Sequence, residues 1–218
     1  MRSFNNLGIR AKLLGGFAAV LVLTGGVALF GIRGINAGEQ RATTMYEQNV
    51  LGTHWANQAL VWMVASGREQ QTAILNAGNP EKLTGAIKQS REEMAAAQTA
   101  NKEYHATLVS EGDEQQWAAA EAQIEGVIAD REALLKKLEA GDVEGAKAAG
   151  AALAPKIAEM NKTVNSAIDD NLKQSKEIAA ASTNAARSDR NTLLAMTAAS
   201  ALLGLGAGYF IARQIKGG

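Results

Sequence analysis

The chain has 218 residues, with 22 basic and 22 acidic side chains, no cysteine and two prolines. The absence of cysteine excludes a disulfide framework and a thiolate metal site. The neutral balance of charge gives no reason to expect a nucleic-acid partner or a polybasic membrane patch. Rare proline and abundant alanine, glutamate, lysine and glutamine favour long helices over sheet.

Two runs of twenty residues, 13–32 and 193–212, contain no charged side chain. At about 1.5 Å per residue, each run reaches roughly 30 Å, the thickness of the hydrocarbon core of a bilayer. The second run also repeats a small residue at every fourth position, a pattern that lets another helix approach closely. These small residues are Ser200, Gly204, Gly208 and Ala212. Both runs are predicted to be transmembrane helices.

The first run has a second interpretation as a secretory signal peptide, because a basic segment precedes an apolar one. Gly26-Val27-Ala28 would be a weak cleavage site. The apolar region of a signal peptide is usually shorter, about 7–15 residues, so the length favours an uncleaved membrane anchor.

The charges of the two tails predict the orientation. Residues 1–12 and 213–218 carry only basic charges, and the positive-inside rule assigns such segments to the cytoplasm. We therefore expect a cytoplasmic tail at 1–12, a domain outside the inner membrane at 33–192 and the start of a cytoplasmic linker at 213–218.

Three turn signals divide the segment between the two runs: Gly78-Asn79-Pro80, Gly112-Asp113 and Gly141-Asp142. In each, glycine can end one helix and the polar residue can cap the next. They predict helices at roughly 33–77, 80–111, 113–140 and 142–192, whose short connections make neighbours antiparallel. Pro155 is expected to kink the last helix or to mark its effective start.

Apolar residues inside these helices follow the alternating spacing of three and four that a helical bundle buries. The third helix shows it best, with Trp117, Ala120, Ile124, Val127, Arg131, Leu134 and Leu138. The predicted fold is therefore all-α, an antiparallel up-down-up-down four-helix bundle flanked by two transmembrane helices.

The opening FNNLGIRAKLLGGFAAVLVL and the segment GDVEGAKAAGAALAP resemble the sensory half of bacterial methyl-accepting chemotaxis proteins. The resemblance implies a homodimeric two-pass receptor of the bacterial inner membrane. Such a receptor binds a small molecule with its periplasmic domain at 33–192 and passes a conformational signal through the second span. Such bundles are also fused to histidine kinases and diguanylate cyclases, so the type of output stays open. After Ala212 the chain reads RQIKGG, where such a receptor begins its HAMP linker, and we expect a receptor fragment or a truncated protein.

No phosphate-binding, nucleophile-elbow or zinc-protease motif is present, and no enzymatic activity is predicted.

Aligning the helices by their rise puts one cation of each helix at a common height, namely Arg68, Arg91, Arg131 and Lys156. Arg131 takes a seam position, and a buried guanidinium needs a carboxylate or water. An anionic ligand, such as an organic acid or an amino acid, would supply that partner. The resemblance supports Arg68 alone, because amino-acid-sensing members present arginines from the first bundle helix across a dimer interface. The alternative is internal pairing with Glu69, Glu92, Asp130, Glu132 or Glu159.

A second level gathers His54, Trp55, Tyr104, His105 and Trp117. Two histidines lack the further ligands that a metal site needs, so we expect aromatic side chains that fill the core, with no metal and no cofactor. A membrane-anchored scaffold without any ligand is the remaining alternative to a receptor.

Overall fold

A computed structural model describes residues 8–108 and 111–216, and every regular element in this part of the chain is helical. The elements are α1 (Ile9–Thr44), a π-helical segment (Met45–Val50), α2 (Leu51–Leu75), α3 (Pro80–His105), α4 (Glu111–Glu139) and α5 (Val143–Lys216). The chain divides into two compact units. We call Thr43–Glu177 the bundle, and Met1–Ala42 together with Ile178–Gly218 the helix pair.

Contacts between successive helices of the bundle confirm the antiparallel up-down-up-down order. Ser90 Oγ on α3 donates to the carbonyl oxygen of Ser66 on α2 at 3.0 Å. Asn101 on α3 lies against Trp117 on α4, and Gln98 against Glu125, so partners on α3 and α4 run in opposite directions. Helix α5 closes the bundle, because Gly150 lies beside side chains of both α2 and α4.

Most residues that the three-and-four spacing predicted to be buried lie in the core, which also includes Leu135 and Ala146 outside the predicted pattern. All seven seam positions of α4 are buried, with Arg131 among them. Helix α2 is different, because small residues such as Ala56, Ala59 and Ser66 fill its buried face. Small side chains let two helices approach closely, and α2 contacts α3 through the buried pair Ser66 and Ser90. Trp62 and Met63 are neighbours in α2 but differ in burial: Met63 is buried, whereas Trp62 is exposed.

Two of the three predicted turns are confirmed. Asn79 caps α3 by accepting the Lys82 N–H at 3.2 Å, and Pro80 takes the first helical position. Gly141 has a φ of 78°, a conformation that glycine adopts without steric cost. Asp142 caps α5 by accepting the Gly145 N–H at 2.9 Å.

The predicted turn at Gly112-Asp113 is wrong, because α4 already begins at Glu111. Helix α3 ends at His105, not at 111. Both the N–H and the hydroxyl of Thr107 donate to the Tyr104 carbonyl oxygen, at 2.8 and 2.7 Å, and this tight turn ends the helix. Residues 109 and 110 lie outside the described part. Asp113 therefore lies in the first turn of α4, where an acidic side chain is also favourable.

Two further helix predictions need correction. Pro155 does not mark the start of the last helix, since α5 begins at Val143, beside the Asp142 cap, and continues through the proline. Proline removes one backbone hydrogen bond from a helix, whereas Leu153 and Met160 on either side of it are both buried. The first bundle helix is also not uniform, because the π-helical segment interrupts it at 45–50.

The helix pair consists of the outer parts of α1 and α5. A Cβ on Gly204 would lie 3.8 Å from Val20, and one on Gly26 would lie 4.0 Å from Met196, so the two helices are antiparallel. Gly204 of the small-residue stripe thus faces α1, whereas a Cβ on Gly208 would meet nothing within 4 Å. Both helices are long and apolar enough to cross a membrane, and neither apolar window is buried inside the structure.

Candidate ligand-binding site

Arg131 is the most buried charged residue of the predicted site, with 2% of its surface exposed. Its Nη1 donates to the carbonyl oxygen of Met63 and to the hydroxyl of Ser66. Nε has no partner in the described part of the chain. Burial lowers the pKa of Arg131 to about 10, because the apolar surroundings disfavour the charged form. Within the described part of the chain, this guanidinium donates only to neutral oxygens.

The backbone of α2 makes room for this side chain. A Cβ on Gly67 would lie 2.7 Å from Nη2 of Arg131, closer than real Cβ atoms come to other atoms. Ser66 also donates to the Met63 carbonyl at 3.1 Å and accepts, at its own carbonyl, the hydroxyl of Ser90. The helical turn at 63–67 is therefore a small polar region within the apolar core.

Arg91 forms ion pairs with two carboxylates, those of Glu132 and Glu139. Its Nε and Nη2 donate to Glu132 at 3.0 and 2.8 Å, and Nη1 and Nη2 donate to Glu139 at 2.7 and 3.0 Å. These bonds raise the pKa of Arg91, and the Arg91 hydrogen bonds hold the pKa of the Glu139 carboxyl below its ordinary value. The pairing links α3 to α4. The prediction had weighed Glu132 but missed Glu139, although its spacing of seven from Glu132 puts both on one face of α4.

Lys156 is likewise in an ion pair, with Nζ 2.5 Å from Asp130, which links α5 to α4. The alternative of internal pairing is thus confirmed for Arg91 with Glu132 and for Lys156 with Asp130.

Arg68 lies on the outer face of α2 and is exposed. It borders an open groove of about 350 Å³ that includes Leu60, Val61 and Val64. More than half the surface of Val61 and of Val64 is exposed. This groove face of α2 combines an apolar stripe with an exposed cation.

The four cations lie in one layer of the bundle but on different faces. Three consecutive residues of α4 show why: Asp130 contacts α5, Arg131 contacts α2, and Glu132 contacts α3. Successive residues of a helix are about 100° apart, so they face different neighbours. Among the described contacts, no ion pair or hydrogen bond links one of the four predicted residues to another.

The aromatic level is core packing. The rings of Tyr104 and Trp117 are 3.8 Å apart, and Trp117 donates to Asn101 at 3.0 Å. Burial raises the pKa of Tyr104, whose hydroxyl accepts from Asn171 at 3.1 Å. His54 and His105 are exposed. In the described residues, no group of three or more potential ligands is arranged to hold a metal ion.

A polar contact at the same end of the bundle was not predicted. Asn49 of the π-helical segment is 1% exposed, and its Nδ2 lies 3.3 Å from both the Asn171 carbonyl oxygen and Gln174 Oε1 on α5. Close packing at Gly52 belongs to this contact, because a Cβ there would lie 3.0 Å from Thr107 and 3.2 Å from Asn171. The glycine in an otherwise regular helix was the only sequence signal.

The sequence matches a family described as a four helix bundle sensory module for signal transduction, over residues 6–186. The chain belongs to this family. No curated protein and no solved structure is similar enough to match it. The family confirms the bundle fold and assigns this sensory module to signal transduction.

Proposed function

We propose that the sensory module is the input half of a two-pass transmembrane chemoreceptor, with its bundle in the periplasm. The observation that carries the proposal is helix α5, which includes the last helix of the bundle and the second apolar run in one element, Val143–Lys216. The basic tails support a cytoplasmic location for both ends.

A topology experiment tests this placement. We expect a reporter fused after Gly218 to lie in the cytoplasm and one inserted at Gly78, in the loop before α3, to lie outside. A fusion after Gly218 that is exported would contradict the proposal. A mature protein beginning near Leu29 would contradict it too, because the first run would then be a signal peptide.

We further propose that two copies associate through the groove face of α2. Its exposed apolar residues Val61 and Val64 lie three residues apart on one face of the helix and would be covered by the same face of the partner, as in a two-helix seam. The chain has no cysteine, so single-cysteine variants give clean cross-linking. We expect Val61→Cys to form a disulfide-linked dimer in membranes and Ala95→Cys, on an exposed face of α3, to stay monomeric. Equal cross-linking of the two would contradict this interface.

The proposed ligand is a small anion, an organic acid or an amino acid, whose carboxylate binds Arg68. Support comes from the accessibility of Arg68, whereas Arg91 and Lys156 already pair with carboxylates and Arg131 is buried. Arg131 would act on this site indirectly from the core, because it contacts Ser66 and packs against Gly67, the two residues directly before Arg68. Arg91 and Lys156 would join only if their present ion pairs opened.

Ligand screening by thermal unfolding of the full chain tests this site. A ligand that binds only the folded state raises the stability by mass action, about 2.7 kcal/mol at a hundredfold excess over Kd. We expect such a shift from at least one carboxylate, its loss in Arg68→Gln and its retention in Lys102→Gln, which removes an exposed cation of α3. If no anion stabilises the wild type, the ligand-free scaffold is the better interpretation.

Signal transfer would be a shift of α5 against α1 by about 1–2 Å, the usual scale of helix shifts at interfaces. Val20 and Gly204 face each other across the helix pair, so the double variant Val20→Cys with Gly204→Cys reports on this contact. We expect its rate of disulfide formation to change when a stabilising ligand is added. An unchanged rate at several such positions would contradict a shift of the second span.

A further inference from the structure

A groove of about 380 Å³ lies between the two helices of the helix pair, close to where the apolar runs meet the charged residues. Gly31 and Gly34 of α1 form one wall, and Asp189, Arg190, Leu193 and Leu194 are on the other. The absence of a side chain at Gly34 is what admits the carboxylate, because a Cβ there would lie 3.3 Å from Asp189 Oδ2. The groove is thus built by α1 glycines facing a charged turn of α5.

One end of this groove is charged and the other is apolar. Asp189 and Arg190 supply one negative and one positive charge side by side, and neither is in an ion pair with another side chain of the described chain. The apolar end is open, since Leu194 is 62% exposed. A molecule that fits needs both signs of charge at its head and an apolar body.

The depth expected for Asp189 and Arg190 in a membrane fits a molecule with a charged head and an apolar body. Asp189 and Arg190 precede the apolar run by four and three residues, or about 5–6 Å along the helix, which is the headgroup region if the run spans the hydrocarbon core. A lipid phosphate can accept from the Arg190 guanidinium, as phosphates commonly do. Asp189 is then left to accept a hydrogen bond from a cationic part of the same headgroup.

We propose that this groove binds a phospholipid whose headgroup carries a primary ammonium, such as phosphatidylethanolamine. The ammonium donates to Asp189, the phosphate accepts from Arg190, and an acyl chain lies along Leu194, beside Gly31. A trimethylammonium headgroup has no N–H to donate, and an anionic headgroup without an amine leaves Asp189 facing like charge. This site rests on the proposed membrane placement of the two apolar runs.

Lipid retention measures the preference directly. The full chain is reconstituted in nanodiscs of phosphatidylethanolamine, phosphatidylcholine and phosphatidylglycerol, extracted in mild detergent, and analysed for bound lipid by native mass spectrometry. We expect phosphatidylethanolamine to be enriched over phosphatidylcholine. Asp189→Asn should reduce that enrichment by about tenfold, the equivalent of one charge-assisted hydrogen bond. Arg190→Gln should lower retention of all phospholipids, and Arg190→Lys should restore part of it.

Two matched pairs control for general effects of substitution. Gly31→Leu puts a side chain into the groove at a position where the added Cβ meets nothing within 4 Å, and it should abolish retention. Gly38→Leu meets equally open space outside the groove and should leave retention unchanged. Arg187→Gln removes an exposed cation that does not border the groove and should also have no effect.

Equal retention of the two zwitterionic lipids by the wild type, a preference for phosphatidylglycerol, or an unchanged preference in Asp189→Asn would each overturn the lipid site. An alkaline carbonate wash separates this failure from failure of the membrane placement. A chain released from membranes by the wash contradicts the proposed function itself. A chain that stays in the membrane without a lipid preference contradicts only the lipid site.

Discussion

Gly67→Ala tests whether the Arg131 guanidinium is fixed against the backbone of α2. A Cβ at position 67 would lie 2.7 Å from Nη2 and 3.4 Å from Cζ of Arg131. An exposed arginine would swing aside. Here the group is buried and donates to Met63 and Ser66, so moving away would break both contacts inside the core.

Two opposing terms set the expected size of the effect. Alanine improves on glycine inside a helix by about 1 kcal/mol, whereas overpacking a buried contact costs about 1–3 kcal/mol. Gly67→Ala should therefore lower the free energy of unfolding by up to about 2 kcal/mol. In Arg131→Met the facing group is flexible and neutral, so the same substitution should raise the free energy by up to about 1 kcal/mol. The double-mutant cycle should give a coupling of about 1–3 kcal/mol.

Thermal unfolding of the full chain in detergent, followed by circular dichroism, measures each corner of the cycle. One kcal/mol corresponds to about 2–4 °C in Tm for a chain of this size. Gly126→Ala is the matched control, because Gly126 is an exposed helical glycine of α4 with nothing within 4 Å of its Cβ position. It should raise Tm equally in both backgrounds. If Gly67→Ala raises Tm as much as Gly126→Ala does, the fixed position of the guanidinium is refuted.

Three further substitutions have expected outcomes in the same unfolding assay. Because Arg91 holds the pKa of Glu139 below its ordinary value, the pair stabilises the fold above the unfolded pKa of about 4.3 and loses this effect as pH falls through the lowered folded value. Glu139→Gln should therefore cost less than about 1 kcal/mol at pH 7 for this half-exposed pair, and the difference from wild type should vanish in acid; a constant difference would contradict the pKa. Asn79→Ala removes the cap that accepts the Lys82 N–H and should cost about 1 kcal/mol, with Asn79→Asp close to wild type. Gly141→Ala puts a side chain at φ 78° and should cost about 1–2 kcal/mol, whereas an unchanged Tm would show that the turn relaxes.

The bundle was predictable from sequence because its signals are local and periodic. Ile124, Val127 and Leu134 follow the three-and-four spacing that puts residues on one helix face, and all are buried. The caps at Asn79 and Asp142 were predictable because a side chain three residues from its N–H partner needs no distant contact.

The errors arose where tertiary contacts or ambiguous local chemistry decided the structure. Gly112-Asp113 fits a helix start as well as a helix interior near its N-terminus, and the actual end of α3 is a turn between Tyr104 and Thr107. The π-helical segment was beyond prediction, because Asn49 bonds to Asn171, 122 residues further along the chain. No local pattern encodes such a contact.

The charged layer illustrates the same limit at the candidate site. Rise along the helices predicted the height of the four cations, but their faces depend on rotation about each helix axis. Asp130 and Glu132 flank the seam position of Arg131, and each takes a cation from a neighbouring helix into an ion pair. Arg131 then remains inside and Arg68 outside the same turn of α2, separated only by the backbone at Gly67. A ligand on Arg68 would therefore bind the outer side of a turn whose inner side contacts the buried guanidinium, and displacement of that turn would act directly on the α2–α4 contact.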